Sequence, residues 1–188
     1  MAEFGEAFVK NWRTVRTGVF KVEAWQTYQE PETQSLRAYL AGQYDQVEQL
    51  IEEEAEQDQF VYDDVRRNGT PFVRLRIAKT PLPEYLRWEF WNYRVRARRG
   101  ETILVIDRTD DPRSLPNHSA FDFLLFDDHA ALIHDYGLDG LQDGGWLVAS
   151  PETLGRLMGI ATSLREEATP LDSFISLIVA DQNSPSSA

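Results

Sequence analysis

The sequence predicts one α/β (α+β) domain in which helices flank a mixed, largely antiparallel sheet. Residues 71–78 (PFVRLRIA) alternate as a β-strand does. A helical segment between this strand and the next indicates a βαβ unit with parallel strands. Two apolar segments around Asp128-His129 predict an antiparallel hairpin. The 188 residues, 42% of them hydrophobic, suffice for one core, so we expect a single domain over 1–180 and a disordered tail over 181–188.

The N-terminal part of the chain contains three predicted helices and one strand. Residues 4–16 carry apolar side chains at helical spacing, and residues 18–25 alternate as a half-buried strand does. Pro31 suits the first turn of the next helix and Gly42 suits its end. Residues 45–67 then form a longer helix.

The predicted βαβ unit occupies the middle of the chain. Its first strand, 71–78, places Arg74 and Arg76 on one face, because successive side chains of a strand point to opposite sides. A helix follows from about 83 to 98, and residues 101–107 (ETILVID) form the second strand.

The C-terminal part contains the predicted hairpin and two helices. Residues 121–127 and 130–136 form the hairpin strands around the Asp128-His129 turn. The remaining predicted elements are a loop over 108–118, a short strand over 146–150, and helices over 151–166 and 170–180.

Composition excludes several classes of function. A net charge of −12 argues against direct nucleic-acid binding, because phosphate backbones repel an acidic chain. The absence of cysteine excludes disulfides and thiolate catalysis and fits a cytoplasmic protein. No stretch reaches the roughly 18 apolar residues of a membrane helix. The three histidines lack the spacing of a metal motif, and the sequence has no phosphate-binding loop or dinucleotide fingerprint. We therefore predict no membrane segment, no metal and no cofactor.

Two segments carry opposite charge. Residues 45–64 are acidic and include EEEAE at 52–56, whereas RVRARR at 94–99 is basic. The acidic segment predicts a contact with a basic protein partner, and the basic segment predicts an anionic ligand. The alternative for each is a solvated helix face.

The stretch PLPEYLRWEF at residues 81–90 is the first candidate site. Tyr85 and Glu89 are four residues apart and share a helical face, with Arg87 close by. They follow the carboxyl end of the strand that bears Arg74 and Arg76, where crossover folds bind ligands. Because guanidinium groups bind anions bidentately, the pattern predicts a pocket for a small anionic ligand near Tyr85. The alternative is a helix that only packs its aromatic residues into the core.

Two aspartates bracket the strand over 121–127. The odd spacing of Asp122 and Asp127 places them on opposite faces, so a carboxylate pair is not expected. Asp127 is predicted in the hairpin turn. We expect Tyr85 and Glu89 to meet the two strand arginines, with Asp122 or Glu23 from neighbouring strands as further partners.

Residues 19–42, 73–89 and 121–132 share their pattern with a known family. The chain is similar to the actinobacterial domain-of-unknown-function family 6879, from which the acidic insertion near 52–58 departs. Two family motifs match, Pro-Leu-x-x-Tyr-x-Arg-x-Glu and an aromatic strand between aspartates, at Pro81, Leu82, Tyr85, Arg87, Glu89, Asp122 and Asp127. Members lack an assigned activity and often accompany helix-turn-helix regulators. The resemblance implies a non-catalytic regulatory or protein-binding domain, with such a regulator as its partner.

The order of elements also resembles half of a phospholipase D-like domain. That fold uses a His-x-Lys-x4-Asp motif, and here only Asp127 matches it. The resemblance therefore implies a degenerate copy without the parent chemistry. The alternative function is an enzyme or sensor that acts on a small anionic ligand through the arginine-rich pocket near Tyr85.

Overall fold

A computed structural model describes residues 2–109 and 121–183. In chain order, the elements are α1 (Ala2–Trp12), β1 (Val19–Glu23), α2 (Gln34–Leu40), α3 (Tyr44–Glu56), α4 (Gln59–Asn68), β2 (Phe72–Ala78), α5 (Glu84–Arg99), β3 (Thr102–Asp107), β4 (Phe123–Phe126), β5 (Ala130–Asp135), β6 (Gly144–Val148), α6 (Pro151–Glu167), β7 (Thr169–Pro170) and α7 (Leu171–Asn183).

These strands form a mixed sheet in the order β6-β5-β4-β1-β2-β3-β7. Strand β2 pairs in parallel with β1 and β3, and the other pairings are antiparallel. The βαβ unit is confirmed, because α5 crosses between the parallel strands β2 and β3. The hairpin of β4 and β5 is also confirmed. The prediction of a mixed α/β fold with flanking helices is therefore correct.

Two predicted segments differ from the structure. Residues 45–67 form two helices instead of one, with the break at residues 57–58. The break lets Ile51 of α3 join the core beside α5, while Val61 of α4 packs with Trp12 and Phe72 in another cluster. In the predicted tail, residues 181–183 belong to α7. Residues 184–188, like residues 110–118 of the predicted loop, lie outside the described residues.

The two faces of the sheet differ in polarity. One face is apolar and packs against α6, with Val22, Leu75 and Phe123 in contact with Leu154 and Leu157. The helices α1, α3, α4 and α5 supply side chains to the two clusters on the opposite face. In the part of the chain that the structure describes, no helix is long and apolar enough to cross a membrane.

The helix-covered face carries charged residues at its middle. The parallel register of β1 and β2 sets Lys21 beside Arg74 and Glu23 beside Arg76. Glu23, Arg74 and Arg76 are buried there. Because buried charges need partners, this part of the sheet must be a connected polar network.

Candidate functional site

The polar network begins with a charged centre on the sheet, which consists of Lys21, Glu23, Arg74, Arg76 and Glu101. Arg74 donates to Glu101 through two N–H groups, at 2.8 and 3.3 Å, and to Glu23 at 2.7 Å. Burial raises the pKa of Glu23, but the charges of Arg74 and Lys21 outweigh burial and hold the pKa well below its ordinary value. Arg74 and its two carboxylates therefore stay ionised and neutralise one another in the core.

Arg76 is completely buried and links the charged centre to Asp122. It donates to the hydroxyl of Tyr28 at 2.9 Å and to the carbonyl of Trp25. Tyr28 in turn donates to Asp122, which also accepts from the backbone N–H of Ala24 at 2.8 Å. Burial raises the pKa of this aspartate. Asp122 thus lies in the arginine network as predicted, but its hydrogen bonds join it to Arg76 through Tyr28.

Above the charged centre, Tyr85 bridges two carboxyl groups. Its hydroxyl lies 2.7 Å from Oε1 of Glu30 and 2.6 Å from Oε2 of Glu89. A phenol has one proton and can donate to only one of them, so the second contact requires a protonated carboxylic acid. Burial and the negative charge of Glu30 raise the pKa of Glu89 to about 7. Glu89 is therefore the group that retains a proton close to neutral pH.

A cavity of about 530 Å³ opens beside this bridge, and we call it the tyrosine cavity. Its wall comes from the loop after β1, from α5 and from the segment after β5, and it includes Tyr28, Glu30, Tyr85, Glu89, Asn92 and Tyr136. The ring centroid of Tyr28 lies 5.4 Å from the ring centroid of Tyr85 and 4.8 Å from that of Tyr136. The cavity thus combines three phenols with four carboxyl groups, those of Glu23, Glu30, Glu32 and Glu89, and its wall also includes the cations Lys21, Arg74 and Arg96.

Two polar side chains in this wall are incompletely paired, although both are at least nine-tenths buried. Glu89 uses Oε2 for Tyr85, and within residues 2–109 and 121–183 its Oε1 has no hydrogen-bond partner. Asn92 accepts from Arg96 through Oδ1, and its amide nitrogen has no described partner. Within the described chain, the fully buried side-chain atoms without a partner are Arg76 Nε and His134 Nε2, so Glu89 Oε1 and Asn92 Nδ2 are open to the cavity. Both atoms can therefore form hydrogen bonds with a ligand there.

Several residues of the cavity were not predicted from the sequence. Lys21 could have been found, because it shares a face of its strand with Glu23 and its neighbour strand carries Arg74 on the same side. His134 contributes through Nδ1, which lies 3.1 Å from the Tyr136 hydroxyl. Burial lowers the pKa of His134 to about 3, so this imidazole is neutral. The loop residues at 28 and 30 follow no periodic pattern and had no signal in the sequence.

Four predicted site residues do not line the tyrosine cavity: Arg76 and Asp122 reach it only through the Tyr28 hydroxyl, and Arg87 and Asp127 lie away from it. Arg87 is exposed, and its Nε donates to the carbonyl of Leu82 at 3.1 Å. It borders a separate cavity of about 870 Å³ outside the carboxyl ends of β2 and β3. It points elsewhere because residues two apart on a helix, such as 87 and 89, do not share a face.

Asp127 lies at the far end of β4 from Asp122. Its carboxylate accepts from the backbone N–H groups of Arg16, Thr17 and Gly18, at 2.7, 2.9 and 2.8 Å. The predicted turn is present at residues 127–129. The side chain of Asp127 therefore fastens the segment before β1 and is separate from the arginine network.

The two segments of opposite charge meet each other. Arg98 pairs with Glu48 at 2.7 Å and with Glu52 at 3.0 Å, and Arg99 pairs with Glu52 at 2.8 Å. Arg96 turns inward to Asp58, at 3.1 Å. Much of the basic segment is thus neutralised by α3 and by Asp58 just before α4 instead of facing an external anion.

The strand arginines, the Tyr85–Glu89 pair and the aspartates around β4 are now placed in one fold. The family model described as Domain of unknown function (DUF6879) matches residues 6–176. The chain belongs to this family. Neither a curated protein nor a solved structure matches it. The likeness to half of a phospholipase D-like domain and the actinobacterial origin stay predictions.

Among the described residues of this DUF6879 domain, no group of three or more acidic or histidine side chains is placed to hold a metal ion.

Proposed function

We propose that the protein is a non-catalytic regulatory domain that senses a small polar molecule in the tyrosine cavity. The observation that carries the proposal is Glu89, a carboxyl group 6% exposed that faces a cavity of about 530 Å³ with one oxygen unpaired. A cavity of this size, with a few convergent polar groups and a perturbed pKa, is typical of a binding site. The cysteine-free composition favours the cytoplasm as its location.

The hydrogen bonds of Arg74 argue against an anion as the ligand. The alternative function predicted from the sequence is an enzyme or sensor that binds a small anion through Arg74, Arg76 and Arg87 in a pocket near Tyr85. In the fold, Arg74 directs its donors to Glu23 and Glu101. An anion at Arg74 would have to displace one of these carboxylates and leave it buried without a partner, which is costly. We therefore assign the ligand to the tyrosine cavity as a whole. Arg74 is part of the cavity wall, and Arg76 holds the hydroxyl of Tyr28 from behind the wall.

The test compares binding to an open and to a filled cavity. Gln142 lies at the cavity wall, and Gln142→Trp is expected to fill it. A matched control is Gln49→Trp on the exposed face of α3. Thermal unfolding of the wild-type chain is followed with a panel of small polar molecules, because a ligand that binds the folded state raises the midpoint. We expect at least one molecule to stabilise the wild-type chain and the control but not Gln142→Trp. The absence of such a molecule would reject the proposal.

A second candidate function is contact with a basic helix-turn-helix regulator. The observation that favours it is the remaining acidic surface of α3, where Glu53 and Glu56 are exposed and have no ion pair within the described chain. Charge complementarity of this kind speeds association and weakens with salt. Co-purification with a basic regulator encoded beside the protein is expected at low salt, and Glu53→Lys with Glu56→Lys should abolish it. Retention by the double variant would contradict this role for α3.

A further inference from the structure

The basic groups that line the tyrosine cavity all have carboxylate partners. Lys21 pairs with Glu23 at 2.5 Å, and Arg74 pairs with both Glu23 and Glu101. Arg96 pairs with Asp58 and Glu101. An anion that entered the cavity would therefore find each of these cations already neutralised.

The carboxyl groups at the other side of the cavity have no such partners. Glu30 and Glu89 both contact the Tyr85 hydroxyl, and in the described parts of the chain neither forms an ion pair. Glu89 is 6% exposed, so its charged form is poorly hydrated and has no counter-ion among the described residues. A positive group placed beside Glu89 Oε1 would supply the missing counter-ion.

The aromatic wall has the same preference. Tyr28, Tyr85 and Tyr136 line the cavity together with Glu30 and Glu89. The ring centroid of Tyr28 lies 5.4 Å from that of Tyr85 and 4.8 Å from that of Tyr136, and the guanidinium of Arg76 already lies over Tyr28, 5.1 Å from its centroid. The face of an aromatic ring is negative and attracts cations, especially where water is excluded. Phenol rings beside carboxyl groups that have no counter-ion are a combination that binds organic ammonium groups.

We infer that the ligand of the tyrosine cavity is an organic cation whose ammonium group lies between Glu30 and Glu89, against the rings of Tyr28, Tyr85 and Tyr136. This inference rests on the proposed binding function and adds the charge of the ligand to it. Asn92, through its unpaired amide nitrogen, would contact an acceptor group elsewhere on the same molecule.

Three probes of nearly equal shape separate charge from size. Benzylammonium, benzyl alcohol and benzoate carry a positive, a neutral and a negative group on the same ring. Each is titrated into the full-length, ¹⁵N-labelled chain, and the backbone amide signals of residues 28–30, 85–92 and 136 are followed. Benzylammonium is expected to bind about tenfold or more tightly than the alcohol, because a charge-assisted hydrogen bond exceeds a neutral one by roughly that factor. Benzoate is expected not to bind.

The variants test whether the carboxyl groups are responsible. Glu89→Gln keeps the size of the side chain, and we expect it to lower the benzylammonium affinity about tenfold while the affinity for benzyl alcohol stays the same. Glu30→Gln, on a half-buried loop, serves the same purpose if the first variant does not fold. Glu56→Gln on exposed α3 is the control and should bind as the wild-type chain does.

The outcomes also separate this inference from the proposed function. If benzoate or the alcohol binds in the cavity as tightly as benzylammonium, the ligand is not selected as a cation, while the binding function stands. The same conclusion follows if neither Glu89→Gln nor Glu30→Gln lowers the affinity for benzylammonium. If none of the three probes shifts the cavity signals, both the inference and the binding function are rejected.

Discussion

Replacing Glu89 by glutamine is expected to stabilise the fold in a pH-dependent manner. Glu89 is buried, contacts the Tyr85 hydroxyl at 2.6 Å, and has no ion pair among the described residues. Ionising it therefore places a negative charge in the core beside Glu30 without compensation. Glutamine has nearly the same shape, can still bond with the phenol, and stays neutral at every pH.

The magnitude follows from the difference between the two pKa values. Glu89 titrates at about 7 when folded, compared with an ordinary value of 4.5 for the unfolded chain. Below pH 4.5 both states are protonated, and there is no penalty. Between these values the folded state binds more protons than the unfolded state, so stability falls as pH rises. Above pH 7 the full penalty is present, and a shift of this size corresponds to about 3 kcal/mol.

Urea denaturation of both proteins at pH 4.5, 5.5, 6.5 and 8 tests this reasoning. The difference in unfolding free energy between Glu89→Gln and the wild-type chain should grow by about 3 kcal/mol across this range, in favour of the variant. Other groups titrate in both proteins, so most of their contributions cancel in the difference. Glu56→Gln, at an exposed position, is the control. A difference that stays constant with pH would refute the uncompensated burial of Glu89.

Three further predictions concern the other charged residues. Arg74→Ala should cost about 3–5 kcal/mol in urea denaturation, because it removes the counter-ion that two buried carboxylates share and leaves Glu23 with Lys21 alone and Glu101 with Arg96 alone. Arg156→Ala at an exposed pair should cost about 0–1 kcal/mol, and equal losses would contradict the buried network. Asp127→Ala should cost about 1–3 kcal/mol, since it removes the acceptor of three backbone N–H groups, and it should leave benzylammonium binding unchanged. Arg87→Ala should cost less than about 1 kcal/mol and should not affect the cavity, and a larger loss of either stability or binding would show that its surface placement is wrong.

Much of the fold could be predicted because local patterns define the elements. The alternation of residues 71–78 reflects a strand with two differently covered faces, and the structure places the strand at 72–78. The helix after it begins next to Pro83, as expected from the fixed φ of proline. The division of residues 45–67 into two helices was missed, because it depends on separate core clusters that Ile51 and Val61 join.

The candidate site was predicted only in part. Tyr85 and Glu89 were expected together from their helical spacing, and they do contact one another. The expected partners of the arginines were incomplete, because Glu101 and Tyr28 are distant in sequence and reach them through the register and packing of the sheet. The acidic and basic segments were considered as separate surfaces, although Glu52 of one binds Arg98 and Arg99 of the other.

The sequence by itself determined the order of helices and strands, the parallel crossover, the hairpin and the presence of Arg74 and Arg76 on one face of a strand. Only the tertiary structure decided which charges neutralise one another and which remain without a partner. The physical reason is range: backbone conformation follows from side chains a few residues apart, whereas ion pairing follows from distances between segments far apart in the chain. Packing α5 over β1 and β2 left Glu89 beside a cavity and without a counter-ion, and this placement gives the domain its candidate site.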